Sequence, residues 1–510
     1  MKHAMASTDA SARLKAEALH LDSLNLTDRQ VQELDLLMTG ALFPFLEYTP
    51  PRQWEEAGLS PVVLATSSPS PPGVRLVLRH PEGMALAVLT VRGALPTAEA
   101  FRDGIPQGFR NTDYVLLGKV EGIERPPHHA FPDCWFCPDS RRSDRAKIGV
   151  SARRFLHRPD QAFLTDCQER EGSEVLLFPQ VSPRYVGDDR FYSRVRAWQA
   201  FQAHLDKSRL VLAPVPDSTG SVAEALTQGL VMVNMGCDRL CFPDFPVRGP
   251  EGQALKKAFD QSMLADRARL LSYDGWDWNR ETATFVPPGA DGQASWSERE
   301  WRQHLDAGEE IPDWLTWPEI LREARWLSQP RSQQGFTVFF TGLSGSGKST
   351  TAQALVAMLL ERVRRKVTLL DGDLVRQNLS SELTFSKAHR DLNIRRIGFV
   401  AHEITRHGGI AVCAPIAPYR AIRDEVRHLI EPEGGFFEIH VATPLEICEK
   451  RDRKGLYAKA RAGKIASFTG ISDPYETPEA PDVTIDTESL SPEESARKII
   501  RFLEDQGYVQ

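Results

Sequence analysis

The chain has 510 residues, 41% apolar and 26% charged, with a formal net charge of −7. That length exceeds one ordinary core and predicts two to four domains, and no apolar run approaches the ~20 residues of a membrane helix. The acidic balance offers no basic footprint for nucleic acid, and the opening residues from Met1 lack the apolar stretch of a secretory leader, so the cytoplasm is expected.

From about residue 20 to 150, short strand patterns such as Val74–Leu78 and Met84–Val91 are punctuated by Pro and Gly, including Pro126 and Pro127. They read as a small barrel-like β domain. Onward to about 275, strand-like Glu174–Phe178 and Arg209–Ala213 alternate with helix-like Arg190–Leu205 and Ser221–Asn234, a second layered α/β structure. Ser295–Leu327 is amphipathic and Trp-rich and predicts two helices. The seven cysteines fit reduced thiols. The pairs Cys134/Cys137 and Cys237/Cys241 offer four sulfurs, but they are about a hundred residues apart, and no zinc site is expected.

Residues 329–335 are polar and contain Pro and Gly, as linkers do. Strand patterns then recur at Phe336–Thr341, Lys366–Leu370, Gly409–Ala414, Phe436–Ala442 and Asp482–Asp486. Helical periodicity fills Thr350–Val363, Asp391–His407, Tyr419–Leu429, Pro444–Arg453 and Pro492–Asp505. This alternation predicts an α/β fold with a parallel sheet covered on both faces. The expected domains are 1–150, 151–328 and 336–510, joined by the 329–335 linker.

Directly after the first of these strands stand Gly342, Leu343, Ser344, Gly345, Ser346, Gly347, Lys348, Ser349 and Thr350, a G-x-x-x-x-G-K-[ST] loop before a helix. Glycines let backbone N–H groups turn toward phosphate oxygens, and the helix N-terminus adds a favourable dipole. Lys348 suits the β/γ-phosphates of ATP, and the Ser349 hydroxyl suits Mg²⁺. Asp371 and Asp373 end the second strand, at the carboxyl edge where open sheets place ligands. One can serve the Mg²⁺ side and the other can take a proton from an acceptor hydroxyl. Arg376, Phe385, Arg390, Asn393, Arg395 and Arg396 follow, and guanidinium forks suit phosphate or sulfate. Adjacent helical residues diverge, so Arg395 or Arg396 is simply a charged face. The basic stretch from Arg451 to Arg461, with Lys459, and the Phe468-Thr469-Gly470 turn read as a lid over phosphates, with Arg451 on the ATP side. Phe385 and Phe468 could clamp a purine.

Together these residues, with Arg390-x-x-Asn393, Ile416-Ala417-Pro418-Tyr419-Arg420, Gly455-Leu456-Tyr457 and Pro474-Tyr475-Glu476, resemble adenylylsulfate (APS) kinase over residues 335–510. The resemblance implies transfer of the ATP γ-phosphate to the APS 3′-hydroxyl, giving PAPS and ADP. It implies Asp373 as base, Lys348 as a catalytic residue, and Asp371 with Ser349 on Mg²⁺. Arg376, Arg390 and Asn393 would hold the phosphosulfate, Phe385 and Phe468 the adenine; Ile416 joins the substrate set and Lys459 the closing lid. Departures are Leu374 for Asn, Thr384 for Gly, His389 for Asp, Ala417 for Ser, and Lys464 and Ala466 for Glu and Lys. Without the serine at 417 no phosphoserine forms there, and direct in-line transfer is expected.

Residues 20–325 resemble ATP sulfurylase more weakly, in Leu21–Gly40, Gly118–Pro127, Arg194–Gln199 and Ile311–Glu319. That family uses a Gln-x-Arg-Asn-Pro-x-His-x-x-His stretch against the triphosphate. Counting back from Leu176–Pro179 sets it against Arg154–Phe163, where the two histidine positions hold Asp160 and Phe163, and an acid there would repel the nucleotide. The Gly-Arg-Asp-His loop is also replaced, by Cys241–Pro246. The expectation is an APS kinase with an inactive sulfurylase-like region, in which His157, His128 and His129 are surface or structural. The alternatives are a bifunctional sulfurylase/kinase, or a nucleotide-sensing N-terminal half. APS is the expected small-molecule partner, with no nucleic acid and no membrane, and a homo-oligomer is expected.

Overall fold

The computed structural model describes residues 3–101, 112–136, 146–181, 188–215, 220–289, 296–384, 386–452, 454–465 and 467–510, and of Asp373 the backbone alone. The chain forms two compact units, residues 1–328 and 329–510.

The first unit opens with helices Thr8–Glu17 and Asp28–Met38. A capping box between Thr27 and Gln30 starts the second, satisfying backbone N–H groups reciprocally. That helix buries Leu34, Leu37 and Met38 against a six-stranded sheet. In this sheet Ala85–Pro96 pairs antiparallel with Arg75–Arg79 on one side and Tyr114–Gly122 on the other. A second, five-stranded sheet is parallel, in the order Arg269–Leu270, Arg239–Cys241, Lys147–Ala152, Glu174–Pro179, Ser208–Leu210. Its strand Lys147–Ala152 is buried throughout and crosses the boundary expected at residue 150. One apolar cluster joins Leu34, Trp54 and Leu89 to Leu176, Met232 and Phe242, so the two domains expected from sequence share a core.

In the second unit the strands are β1 (Phe336–Thr341), β2 (Val367–Asp371), β3 (Ile410–Ala414), β4 (Gly435–Val441) and β5 (Val483–Ile485). They are all parallel, in the order β2-β3-β1-β4-β5. Every residue of β1 is buried, as expected of a central parallel strand with both faces covered. The helices are α1 (Lys348–Arg362), α2 (Gly372–Leu379), α3 (Lys387–Arg406), α4 (Arg420–Ile430), α5 (Leu445–Arg451), α6 (Leu456–Arg461) and α7 (Pro492–Asp505). On one face α1 and α7 pack with Leu355, Leu359, Ile499 and Leu503; on the other α3 and α4 pack with Ile394, Ile397, Ile422 and Val426. Helices α2 and α6, of 8 and 6 residues, were not anticipated; about two turns carry little periodicity, and α5, of 7 residues, was read only within the longer run Pro444–Arg453. Among the described residues no helix is long and apolar enough to cross a membrane.

Candidate active site

The sheet's connection order reverses at β1, making a crevice at its carboxyl end, where open α/β sheets bind ligands. The loop there needs glycine. Gly342, Gly345 and Gly347 have φ of 152°, 75° and 103°. A Cβ on Gly342 would stand 2.7 Å from the Val441 carbonyl oxygen, and one on Gly345 3.0 Å from that of Cys448. Gly347 is the N-cap of α1 and brings no side-chain cap, which leaves this helix end suited to an anion. The Ser346 carbonyl accepts from Thr443 Oγ1 at 2.9 Å and Thr487 Oγ1 at 2.7 Å. Lys348 is buried, and its ammonium donates to the carbonyls of Gly342 (2.9 Å) and Leu343 (2.7 Å). Burial brings that group down to about 8, against the upward pull of Cys448 and Asp371.

Asp371 ends β2, and its Oδ2 accepts from Ser349 Oγ at 2.6 Å. Two hard oxygens are thus side by side at the loop's mouth, a donor set that fits Mg²⁺. The side chain of Asp373, on α2, and the whole of Phe385 lie outside the described residues.

Arg376 of α2 donates to the carbonyl of Leu383 at 3.0 Å. Arg390 of α3 donates to Thr469 Oγ1 (2.8 Å), Tyr419 OH (2.7 Å) and Asp473 Oδ2 (2.7 Å). Asn393, one turn on, is buried with Oδ1 unpartnered. The Ile416 carbonyl accepts from Thr341 Oγ1 at 2.8 Å, at the foot of the phosphate loop. Ala417 is left-handed at φ 46°, a costly conformation for a residue with a Cβ. Its carbonyl accepts from buried Arg423 at 2.8 Å. Leu374 is exposed.

Lys459 is exposed on α6, and Arg451 is held by Thr487, through Oγ1 and the carbonyl, each at 2.8 Å. Phe468 meets Tyr457 edge-on with centroids 5.0 Å apart, and Tyr457 OH donates to the Ser344 carbonyl at 2.8 Å. Sequence reading assigned no role to Thr487, Asp473 or Tyr457. Thr487 could have been found as the residue just past a strand's carboxyl end. The other two make contacts across long stretches of chain, which no local pattern reveals.

In the first unit, His157 is the N-cap of the helix Arg158–Glu171, which follows the strand Lys147–Ala152. Setting the family's arginine at Arg153 and its first histidine at His157 matches two positions, where the register counted back from Leu176 matched none; Asp160 then takes the second histidine's place. Asp160 is not an open acid facing a nucleotide. Arg154 grips it with two bonds of 2.9 and 2.5 Å, the His157 backbone N–H donates at 2.7 Å, and Tyr273 OH donates to it. Although burial opposes the charge, Arg154 holds the Asp160 carboxyl below its usual range. His157 is buried rather than on the surface; Nδ1 is 3.0 Å from Thr316 Oγ1, Nε2 has no partner, and burial depresses the imidazole to about 3. In the stretch Cys241–Pro246, Asp244 accepts the Arg153 backbone N–H at 2.7 Å. Arg196 is paired with Glu323 through bonds of 2.9 and 2.8 Å. His128 Nε2 is 3.0 Å from buried Asp35, which Arg125 also grips.

The fold and site define a phosphate-loop kinase domain joined to a larger α/β unit. A family model for adenylylsulphate kinase matches residues 334–486, and one for ATP-sulfurylase matches residues 140–247. The chain belongs to the sulfate adenylyltransferase family. It is 32% identical to the sulfate adenylyltransferase of Neurospora crassa over 97% of this chain and 96% of that protein. The Chaetomium globosum sulfate adenylyltransferase matches with the same identity and coverage. Among solved structures, a hexameric APS kinase from Thiobacillus denitrificans superposes with a TM-score of 0.77 at 35% identity, covering 100% of this chain and 98% of that one.

Proposed function

We propose that the second unit transfers the γ-phosphoryl group of ATP to the 3′-hydroxyl of APS, giving PAPS and ADP. The observation that carries this is the glycine loop with Ser349 Oγ 2.6 Å from Asp371, inside the stretch matched by the adenylylsulphate kinase family. In this reading the bond from the 3′-oxygen to Pγ forms as the Pβ–O–Pγ bridge opens, and Asp373 receives the hydroxyl proton. Lys348 leaves the loop carbonyls for the phosphates. Ser349 and Asp371 would hold Mg²⁺, which when bound offsets charge on the transferring group. Arg451 borders the nucleotide; Arg376, Arg390, Asn393 and Ile416 orient APS, Phe385 and Phe468 take its adenine, and Lys459 closes over the site. Residues 336–510 are the kinase domain. The hexamer of the Thiobacillus denitrificans protein supports a homo-oligomer, and six described cysteines without disulfides suit the cytoplasm.

A second reading adds sulfurylase activity in the first unit. The comparisons favour it over a kinase alone, through the ATP-sulfurylase match and the names of the full-length fungal relatives. The side chains favour loss of that activity, since Asp160 and Arg154 satisfy each other and His157 is buried. Two assays of the purified chain with Mg²⁺ separate the cases: ADP from ATP plus APS, and pyrophosphate from ATP plus sulfate. APS-dependent ADP is expected, and its absence refutes the kinase. Sulfate-dependent pyrophosphate that an Arg194→Ala or Arg196→Ala protein no longer releases establishes the bifunctional enzyme; no such release leaves the kinase alone.

A further inference from the structure

Two departures from the kinase pattern, Thr384 and His389, touch each other. The Thr384 backbone N–H donates to His389 Nδ1 at 2.9 Å, and the Thr384 hydroxyl is 2.8 Å from the same nitrogen. Ser386, the N-cap of α3, accepts the His389 N–H at 3.3 Å. The imidazole therefore closes the preceding loop onto the first turn of α3, as an N3 carboxylate does in a capping box. The loop it closes carries the Leu383 and Thr384 carbonyls that Arg376 reaches, at 3.0 and 3.4 Å. Phe385 follows Thr384 in sequence, and Arg390 follows His389. The contact thus joins two segments that bear the proposed acceptor ligands.

We infer that His389 is a positioning residue for the acceptor and makes acceptor binding depend on pH; this rests on the kinase reading above. A backbone N–H directed at Nδ1 fixes the tautomer, with Nδ1 accepting and Nε2 carrying the proton. Protonation places an N–H on Nδ1, facing the Thr384 N–H. The hydroxyl contact survives by reversing its donor, but the backbone contact is lost. A carboxylate in this place stays an acceptor through the neutral range, whereas an imidazole does not. Of the charged neighbours, Glu382 on the loop has its carboxyl held low by Arg396 first and by His389 to a lesser degree. Arg396 is paired with Glu382 at 2.7 Å, Arg390 is paired with Asp473, and Lys387 and Asp391 on α3 pair with each other at 2.9 Å.

The test is steady-state ADP formation by the full chain between pH 8.5 and 6. In the wild type the KM for APS rises as pH falls, by roughly three- to ten-fold relative to His389→Asp, the range of one local hydrogen bond, while any change in kcat or the KM for ATP, which Lys348 at about 8 imposes, is the same in both proteins. His389→Asp abolishes the rise and keeps the low KM throughout, alone or combined with Thr384→Gly. His389→Ala has the high KM at every pH. An APS profile equally steep in wild type and His389→Asp overturns the inference, as does a KM for ATP that differs between the two proteins in parallel with that for APS. An active enzyme with a flat APS profile also overturns it, and is distinct from a wild type making no APS-dependent ADP at any pH, where the kinase reading itself fails.

Discussion

Each unit has a strand–loop–helix turn leaving a parallel sheet, and the two turns treat the helix end in opposite ways. At α1 the N-cap is Gly347, with no side chain to offer, and the neighbouring glycines hold the loop in shapes a Cβ would block. At Arg158–Glu171 the helix end is filled by the chain's own anion, since Asp160 takes the His157 N–H and the Arg154 fork together. A helix end left bare is poor for stability and good for binding phosphate; one occupied by a buried carboxylate is the reverse. The contrast separates a turn built for an external anion from one that supplies its own.

The largest effect that sharpens this contrast is expected at Asp160. Asp160→Asn leaves buried Arg154 only the more distant Asp244, 4.0 Å away, as counter-ion and should destabilise the first unit by about 3 kcal/mol. All ten tryptophans precede residue 329, so urea unfolding followed by tryptophan emission reads that unit by itself; an unchanged midpoint would mean the pair contributes nothing. At the other turn, Lys348→Ala should lower APS-dependent ADP formation by about 10²- to 10³-fold, as for one lost charge-stabilising donor, with the tryptophan transition unmoved. Full activity in that protein would remove Lys348 from the mechanism.

The smallest effect is a pH dependence. Burial depresses His157 to about 3, against about 6.5 when unfolded. The folded state then binds fewer protons between these values, so stability is full above ~6.5 and falls with pH by about 1.4 kcal/mol per unit at most. The tryptophan transition should show this slope from pH 6.5 to 5.5 and lose it in His157→Gln. An equal slope in the variant would assign it elsewhere.

The second unit was largely legible because its strands are buried on both faces and its long helices are amphipathic, two patterns that local sequence records. Phe336–Thr341 and Pro492–Asp505 came out with the bounds the structure has. Short α2 and α6 carried few turns, and the first helices of the first unit went unread although no proline or glycine precedes Gly40. The shared core of residues 1–328 was not legible at all, since it depends on residues as far apart in the chain as Leu34 and Met232 joining one apolar cluster. In the candidate site, the glycine loop and the acid at the end of β2 were readable from residue order. That Thr384 and His389 compensate each other was not, because each alone looks like a defect.

From the sequence alone came the phosphate loop, the parallel α/β class of the second unit and the kinase resemblance, because each depends on residue types at fixed local spacing. Tertiary structure alone decided that Asp160 is neutralised rather than repulsive, that Lys348 rests on its own loop's carbonyls, and that Tyr457 of α6 bonds to Ser344 of the phosphate loop. Charge and hydrogen-bond satisfaction depend on which distant groups converge, and only the folded chain brings those groups together.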